Sequence, residues 1–152
     1  MKKFMALTGI RNLQNKRIDT KWLKRVAAST LDIESEGREK EVSIALVDGE
    51  KMKDLNEKFR GRKMITDVLA FPVRDNLIST KDVLGEVIIC VERAKQEARE
   101  RKHSLKEELT LLLVHGILHL LDYREEKLGE RKIMQEREKE ILERLGMGRN
   151  II

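Results

Sequence analysis

Apolar residues along this chain follow two rhythms, and the change from one to the other marks its elements. Trp22, Leu23, Val26, Ala27 and Leu31 recur every three or four positions, which predicts a helix with one buried face, capped by Thr20. The charged stretch from Glu34 to Lys40, which contains Gly37, predicts a loop. The spacing then shortens to two. Val42, Ile44 and Leu46 alternate with Ser43, Ala45 and Val47, a strand pattern, and Asp48-Gly49 predicts the turn that closes it. Met52, Leu55 and Phe59 return to helical spacing in a short helix ending at Gly61. Thr66 to Phe71 predicts a second β segment, stopped by Pro72, the only proline. Residues 73–83 predict an exposed loop, and Leu84 to Val91 an apolar strand. Residues 2–8 are a candidate first strand.

From there the pattern is helical only. Glu92 to Lys102 is charged, with Ala94 and Ala98 as a thin apolar stripe. Ile133, Met134, Ile141, Leu142 and Leu145 predict a last amphipathic helix with Gly146 as its C-cap. Mixed elements followed by helices predict an α+β fold, a small mixed sheet of about four strands with helices packed on it. The pattern leaves strand order open. No repeat, low-complexity tract or linker breaks the chain, so residues 1–152 are expected to form one domain.

Between these helices lies the most apolar run, Leu109 to Glu126, reading LTLLLVHGILHLLDYREE. Ser104 and Glu107 ahead of it form a capping-box pattern. Leu112, Leu113, Val114, Ile117, Leu118 and Leu120 cover nearly its whole circumference, which predicts a buried central helix. Gly116 costs such a helix about 1 kcal/mol relative to Ala, so backbone or a ligand is expected close by. The run also holds two of the three histidines, His115 and His119. Four residues apart, they share a helix face and can point at one metal ion. On a surface helix such a pair carries no meaning; on a buried one each ring nitrogen needs a partner.

Glu125 follows His119 by six residues, beyond an expected helix end at Leu121-Asp122-Tyr123. Two helix histidines, a turn and a third ligand is the metzincin layout, in which glycine makes the turn. Asp122 holds that place here, and Asp is among the few other residues that enter the left-handed region with ease. A fourth ligand role for Asp122 is disfavoured, and Glu126 is the fallback third ligand. The plain alternative is that Glu125 is a solvated charge among Arg124, Glu126 and Lys127.

Composition narrows the class. Hydrophobic residues make up 40% of the chain, which excludes a disordered one. With aromatics at only 3%, the core must be aliphatic. The single cysteine, Cys90, excludes an internal disulfide, fits a reducing cytosol and is expected as a small buried hydrophobe. No stretch approaches a membrane span or a signal peptide, so a cytoplasmic location is expected. Charged residues reach 39%, a pattern also seen in heat-adapted proteins, and the net charge of +5 leans toward RNA or ribosomes.

The stretch HGILHLLDYREE resembles the HGxLHLxGYDH signature of the YbeY family of bacterial endoribonucleases. Leu55-Asn56-Glu57-Lys58-Phe59-Arg60-Gly61 with Thr66-Asp67-Val68-Leu69-Ala70-Phe71-Pro72 resembles its second signature, and Leu84-Gly85-Glu86-Val87-Ile88-Ile89 is a weaker match. Together the matches run from about Val42 to the C-terminus. The departures are Glu125 for the family's third histidine, Asp122 for its glycine, Arg124 for its motif aspartate and Ala70 for its usual serine. The resemblance implies a metal-dependent, single-strand-directed endoribonuclease in ribosomal RNA maturation, including the small-subunit 3′ end, and in ribosome quality control. RNA of the small subunit is then the expected partner, with ribosomal proteins as further ones.

The expected metal ligands are His115, His119 and Glu125, holding one zinc or another divalent ion, with a fourth position open to water. Zinc in such a site lowers the pKa of water and polarises a phosphoryl oxygen. Position 116 is glycine, so the general-base glutamate of HExxH peptidases is missing. Arg60 aligns with an arginine that lines the family's cleft and is assigned to substrate or transition-state binding. Catalysis is thus expected of Arg60, His115 and His119. Arg62 and Lys63 are general electrostatic contacts at best, Thr66 and Asp67 set a turn, and His103 is expected on the surface without a role. The rival readings are a metallohydrolase of another substrate and a non-catalytic ribosome-associated factor with a structural metal.

Overall fold

The computed structural model describes residues 9–34, 40–61, 66–72 and 82–147. In chain order the elements are β1 (Gly9–Asn12), α1 (Thr20–Glu34), β2 (Lys40–Val47), α2 (Gly49–Arg60), β3 (Val68–Pro72), β4 (Asp82–Cys90), α3 (Val91–Arg101), α4 (Leu105–Leu120) and α5 (Leu128–Arg144). The strands form one sheet in the order β1-β2-β4-β3. β1, β2 and β4 run parallel, and β3 lies antiparallel on β4. The fold is therefore α+β with a four-stranded mixed sheet, as the apolar pattern predicts.

The sheet is covered on both faces. Val42, Ile44 and Leu46 of β2 and Val87 and Ile89 of β4 join the larger core with α1, α4 and α5. The alternate residues Ala45, Val47, Ile88 and Cys90 meet Met52 of α2 on the other side. Helix α4 touches α1, α3, α5, β3 and β4, so it is walled in on nearly every side. Its capping box is formed: Glu107 N–H donates to Ser104 Oγ at 3.0 Å, and Ser104 N–H to Glu107 Oε1 at 2.8 Å. Leu113, Ile117 and Leu118 are fully buried. At about 1.5–3 kcal/mol per buried side chain, these three alone outweigh the cost of Gly116 and fix the helix's rotation. What comes close at Gly116 is a strand side chain: a Cβ there would lie 2.7 Å from Val87 Cγ1.

Several local expectations need correction. The cap of α1 is Asp19, whose Oδ1 accepts from Trp22 N–H at 3.1 Å, and Thr20 is the first helical residue. Asp48-Gly49 opens α2 instead of making a turn, because Asp48 Oδ1 caps Lys51 N–H at 2.9 Å. The predicted loops over 34–40 and 73–83 give up Glu34 to α1, Lys40 to β2 and Asp82 and Val83 to β4. The apolar pattern does not predict β1, which is four residues long, mostly exposed, and sits at the sheet edge. The candidate strand over residues 2–8 lies outside the described residues. Ile133 of α5 is 62% exposed, whereas Met134, Ile141 and Leu142 are buried as expected. Cys90 is buried, and burial is the main cause raising its thiol pKa above the usual value.

β4 carries an irregularity that only glycine fills. Opposite it the register slips between Glu41 and Val42, and Gly85 has φ +151°. A Cβ at this position would stand 2.1 Å from the carbonyl oxygen of Phe71 on β3. Gly85→Ala is expected to cost about 2–4 kcal/mol through backbone strain and overpacking. In a chain of this size that lowers Tm by about 5–15 °C, readable by calorimetry, and an unchanged Tm would show the bulge to be relaxed.

Candidate metal centre

The geometry of the centre starts from how α4 ends. Asp122 adopts φ 71°, its N–H donates to His119 O at 3.0 Å, and Tyr123 N–H donates to Leu118 O at 3.0 Å. This is a Schellman turn with aspartate where glycine is usual. It reverses the chain at once, so that Glu125 comes back over the exposed end of the helix. The histidines' position on α4 is set by the buried leucines around them.

Three donor atoms converge as a result. His119 Nε2 lies 3.2 Å from His115 Nε2 and 3.0 Å from Glu125 Oε1, and His115 Nε2 lies 3.2 Å from the same oxygen. Tetrahedral zinc with donor bonds of about 2.0–2.1 Å separates its donors by about 3.3–3.4 Å. The observed triangle thus fits such an ion with a few tenths of an ångström of relaxation. Among the described residues this is the group of histidine, cysteine and acidic side chains that can hold a metal. The three side chains are 26%, 33% and 40% exposed, so the centre opens to solvent, unlike a closed structural site.

Helix α5 braces this centre from behind. His115 Nδ1–H donates to the carboxylate of Glu138, which is 5% exposed. That bond selects the tautomer whose Nε2 lone pair faces the other two donors, the carboxylate–histidine arrangement found behind many metal sites. Burial pulls the His115 pKa down, but Glu138 and then Glu125 more than offset this and leave it raised. Burial pushes the Glu125 carboxyl up, while the charge of His115 and the hydrogen bond of His119 bring it below its usual value. Arg131 Nε donates to Glu125 O at 3.3 Å. Tyr123 O–H donates to Glu34 Oε1 at 2.8 Å, and Arg137 pairs with the same carboxylate, which ties the turn to α1 and α5.

Glu138 is not among the residues that motif spacing points to, although it carries a signal of its own. It shares a helix face with Met134, Ile141 and Leu142, so a carboxylate stands inside an apolar stripe, where it needs a partner. Glu138→Gln is expected to weaken metal binding about 10–100-fold, because a neutral amide holds the imidazole less firmly. Competition with a chromophoric chelator measures this, and equal affinity for the two proteins would remove Glu138 from the account.

The other expected residues separate into those near the centre and those away from it. Arg60, at the end of α2, and Thr66, Tyr123 and Arg124 line a cleft of about 770 Å³ together with His115 and His119. Asp67 lies in the same wall, and its carbonyl accepts from Cys90 N–H at 2.8 Å, which anchors the entry to β3. Glu126 also borders the cleft, but Glu125 supplies the converging oxygen, and Asp122 serves the turn. Arg62 and Lys63 lie outside the described residues. His103 is not on the surface: its side chain is 3% exposed and pairs with buried Glu108 at 2.5 Å.

A model of the family described as endoribonuclease YbeY matches residues 9–146. The chain is 41% identical over 145 residues to the endoribonuclease YbeY of Carboxydothermus hydrogenoformans, covering 94% of this chain and 100% of that one. It is 40% identical over 148 residues to that of Pelotomaculum thermopropionicum, covering 92% and 97%. Among solved structures it resembles a Thermotoga maritima protein determined in solution, with TM-score 0.61 and 29% identity over 90% of this chain and 91% of that one.

Proposed function

Because the chain belongs to the YbeY endoribonuclease family, we propose that it is a metal-dependent, single-strand-specific endoribonuclease of ribosomal RNA maturation. Its substrates on this reading include the small-subunit rRNA 3′ end, with a role in ribosome quality control and residues 1–152 acting as one domain. The observation that carries the reading is the convergence of His115, His119 and Glu125 in one cleft with Arg60.

His115, His119 and Glu125 would hold the ion, zinc or another divalent metal. When bound it supplies Lewis-acid polarisation of a phosphoryl oxygen and a lowered pKa for water. The rest falls to the protein. Glu138 keeps the His115 lone pair turned toward the centre. The Schellman turn, Tyr123 and Arg131 hold Glu125 in reach of both imidazoles. Arg60, exposed at the C-terminal end of α2, offers a planar fork that matches two phosphate oxygens and offsets charge growing on them. Gly116 leaves no general-base carboxylate at the HExxH position, which separates this site from that peptidase mechanism. The open side of the centre favours catalysis over a purely structural metal.

No helix among the described residues is long and apolar enough to cross a membrane. A cytoplasmic location, with ribosomal RNA and ribosomal proteins as partners, is part of the same proposal. Purified protein incubated with single-stranded RNA, with and without a chelator, tests it. Cleavage that the chelator abolishes is expected; cleavage untouched by thorough chelation would remove the metal from the reaction.

A further inference from the structure

The metal centre stands between two clefts, and the proposed mechanism uses only one of them. The second, of about 630 Å³, is bordered by residues of α3, α4 and α5 and shares Asp67, Val68, His115 and Glu125 with the Arg60 cleft. Its volume lies within the range of small-molecule sites, about 300–1,000 Å³.

The two linings differ in kind. Outside the shared residues, the first cleft sets Arg60 and Arg124 against Glu126. Outside the shared residues the second offers Arg101 as its cation, beside Glu108 and Glu138, buried carboxylates that pair with His103 and His115. A phosphate entering it would find less positive charge than in the first cleft. Leu111 and Leu112 add apolar surface to the same lining. An uncharged, flat group with apolar faces and a hydrogen-bonding edge suits this environment far better. Gln135, exposed on α5, offers both donors and an acceptor, and the guanidinium of Arg101 is a plane on which an aromatic ring can stack.

A strand cut at the metal centre must continue on both sides of the broken bond. The Arg60 cleft serves one side with positive charge. We propose that the second cleft receives the base of a nucleotide adjoining the scissile phosphodiester, with Gln135 reading its edge and Arg101 its face. This inference rests on the RNA-cleaving reading of the metal centre. It makes the enzyme sensitive to a base, and not only to the sugar–phosphate backbone, on one side of the cut.

The test is a two-way comparison on the metal-loaded protein. One bond cleaved by the wild type in a short single-stranded RNA is mapped. The same RNA is then made with an abasic ribose at each of the two nucleotides flanking that bond. Wild type and the double variant Arg101→Ala, Gln135→Ala are compared by kcat/KM. Removing the base on one side is expected to slow the wild type about tenfold, the scale of one stacked and hydrogen-bonded base. The double variant should lose the same factor on intact RNA and almost nothing further on that abasic RNA. Equal loss on intact and abasic RNA, or no loss at all, would overturn the subsite. If the loaded wild type cuts no RNA, the functional reading itself has failed. The cleft is then judged by binding of the four nucleoside monophosphates. Shifts of the Leu111 and Leu112 methyl signals that the double variant lacks support it, and their absence overturns it.

Discussion

Alanine at position 119 is expected to strip the protein of its metal and of RNA cleavage together, while leaving the fold in place. His119 Nε2 is one corner of the donor triangle, at 3.2 and 3.0 Å from the other two. Removing it leaves one imidazole and one carboxylate, too few for a three-ligand site. The loss in affinity should exceed the 10–100-fold controlled by an outer partner such as Glu138, because a direct bond goes. Stability runs the other way. The side chain is 33% exposed, and alanine is the better helix former by up to about 0.7 kcal/mol. The metal-free variant should therefore melt within a few degrees of the metal-free parent. Elemental analysis of purified His119→Ala decides the point, since full metal content in a folded variant would refute the site.

Arg60→Ala is expected to lower cleavage about 10–150-fold in kcat/KM while metal content stays at the wild-type level. The range follows from losing one charge-assisted contact, about 1.5–3 kcal/mol. Arg60 is an exposed end residue of α2 and lies in the cleft that holds the histidines. Its favourable interaction with the helix C-terminus is smaller, about 0.3–1 kcal/mol, so the fold should barely register the change. The two variants should thus separate the centre's tasks: one is expected to lose the ion and the reaction, the other to keep the ion and lose most of the reaction. Unchanged cleavage would leave Arg60 as a surface charge.

Where an element is long and its residues agree with one another, its sequence alone reveals it. α4 combines a capping box, a nearly complete apolar circumference and a polar stop, and each feature stands in the structure where the pattern puts it. The meeting of Glu125 with the two histidines was legible for a local reason too, since Asp122 can adopt the left-handed turn that brings it back. The errors arise where one local chemistry serves two structures. An aspartate that accepts a nearby backbone N–H begins both turns and helices, so Asp48-Gly49 has the pattern of the former and the structure of the latter. Other misses come from partners distant in sequence. His103 is buried because α3 hands over to α4 at that point and Glu108 meets its ring. β1 exists because β2 offers a parallel edge, and nothing in Gly9–Asn12 advertises it. Glu34, Tyr123 and Arg137 come together from three parts of the chain, and no spacing rule joins them. Arg60 carried no signal of its own beyond the family signature around it.

Glu125 departs from the family signature, which has histidine there. A carboxylate keeps a three-donor site and adds negative charge, which would make an ion held there less electrophilic and shift preference a little toward oxygen-loving ions such as manganese. The centre's activity therefore has to be followed against metal itself. The most direct measurement is a titration of divalent metal, zinc and manganese in parallel, into chelator-stripped protein while single-stranded RNA cleavage is recorded. Cleavage should start from background, rise in proportion to added metal and level off at about one ion per chain. Full cleavage by the stripped protein, or an ion taken up at this centre with no gain in cleavage, would contradict a metal-driven reaction at His115, His119 and Glu125.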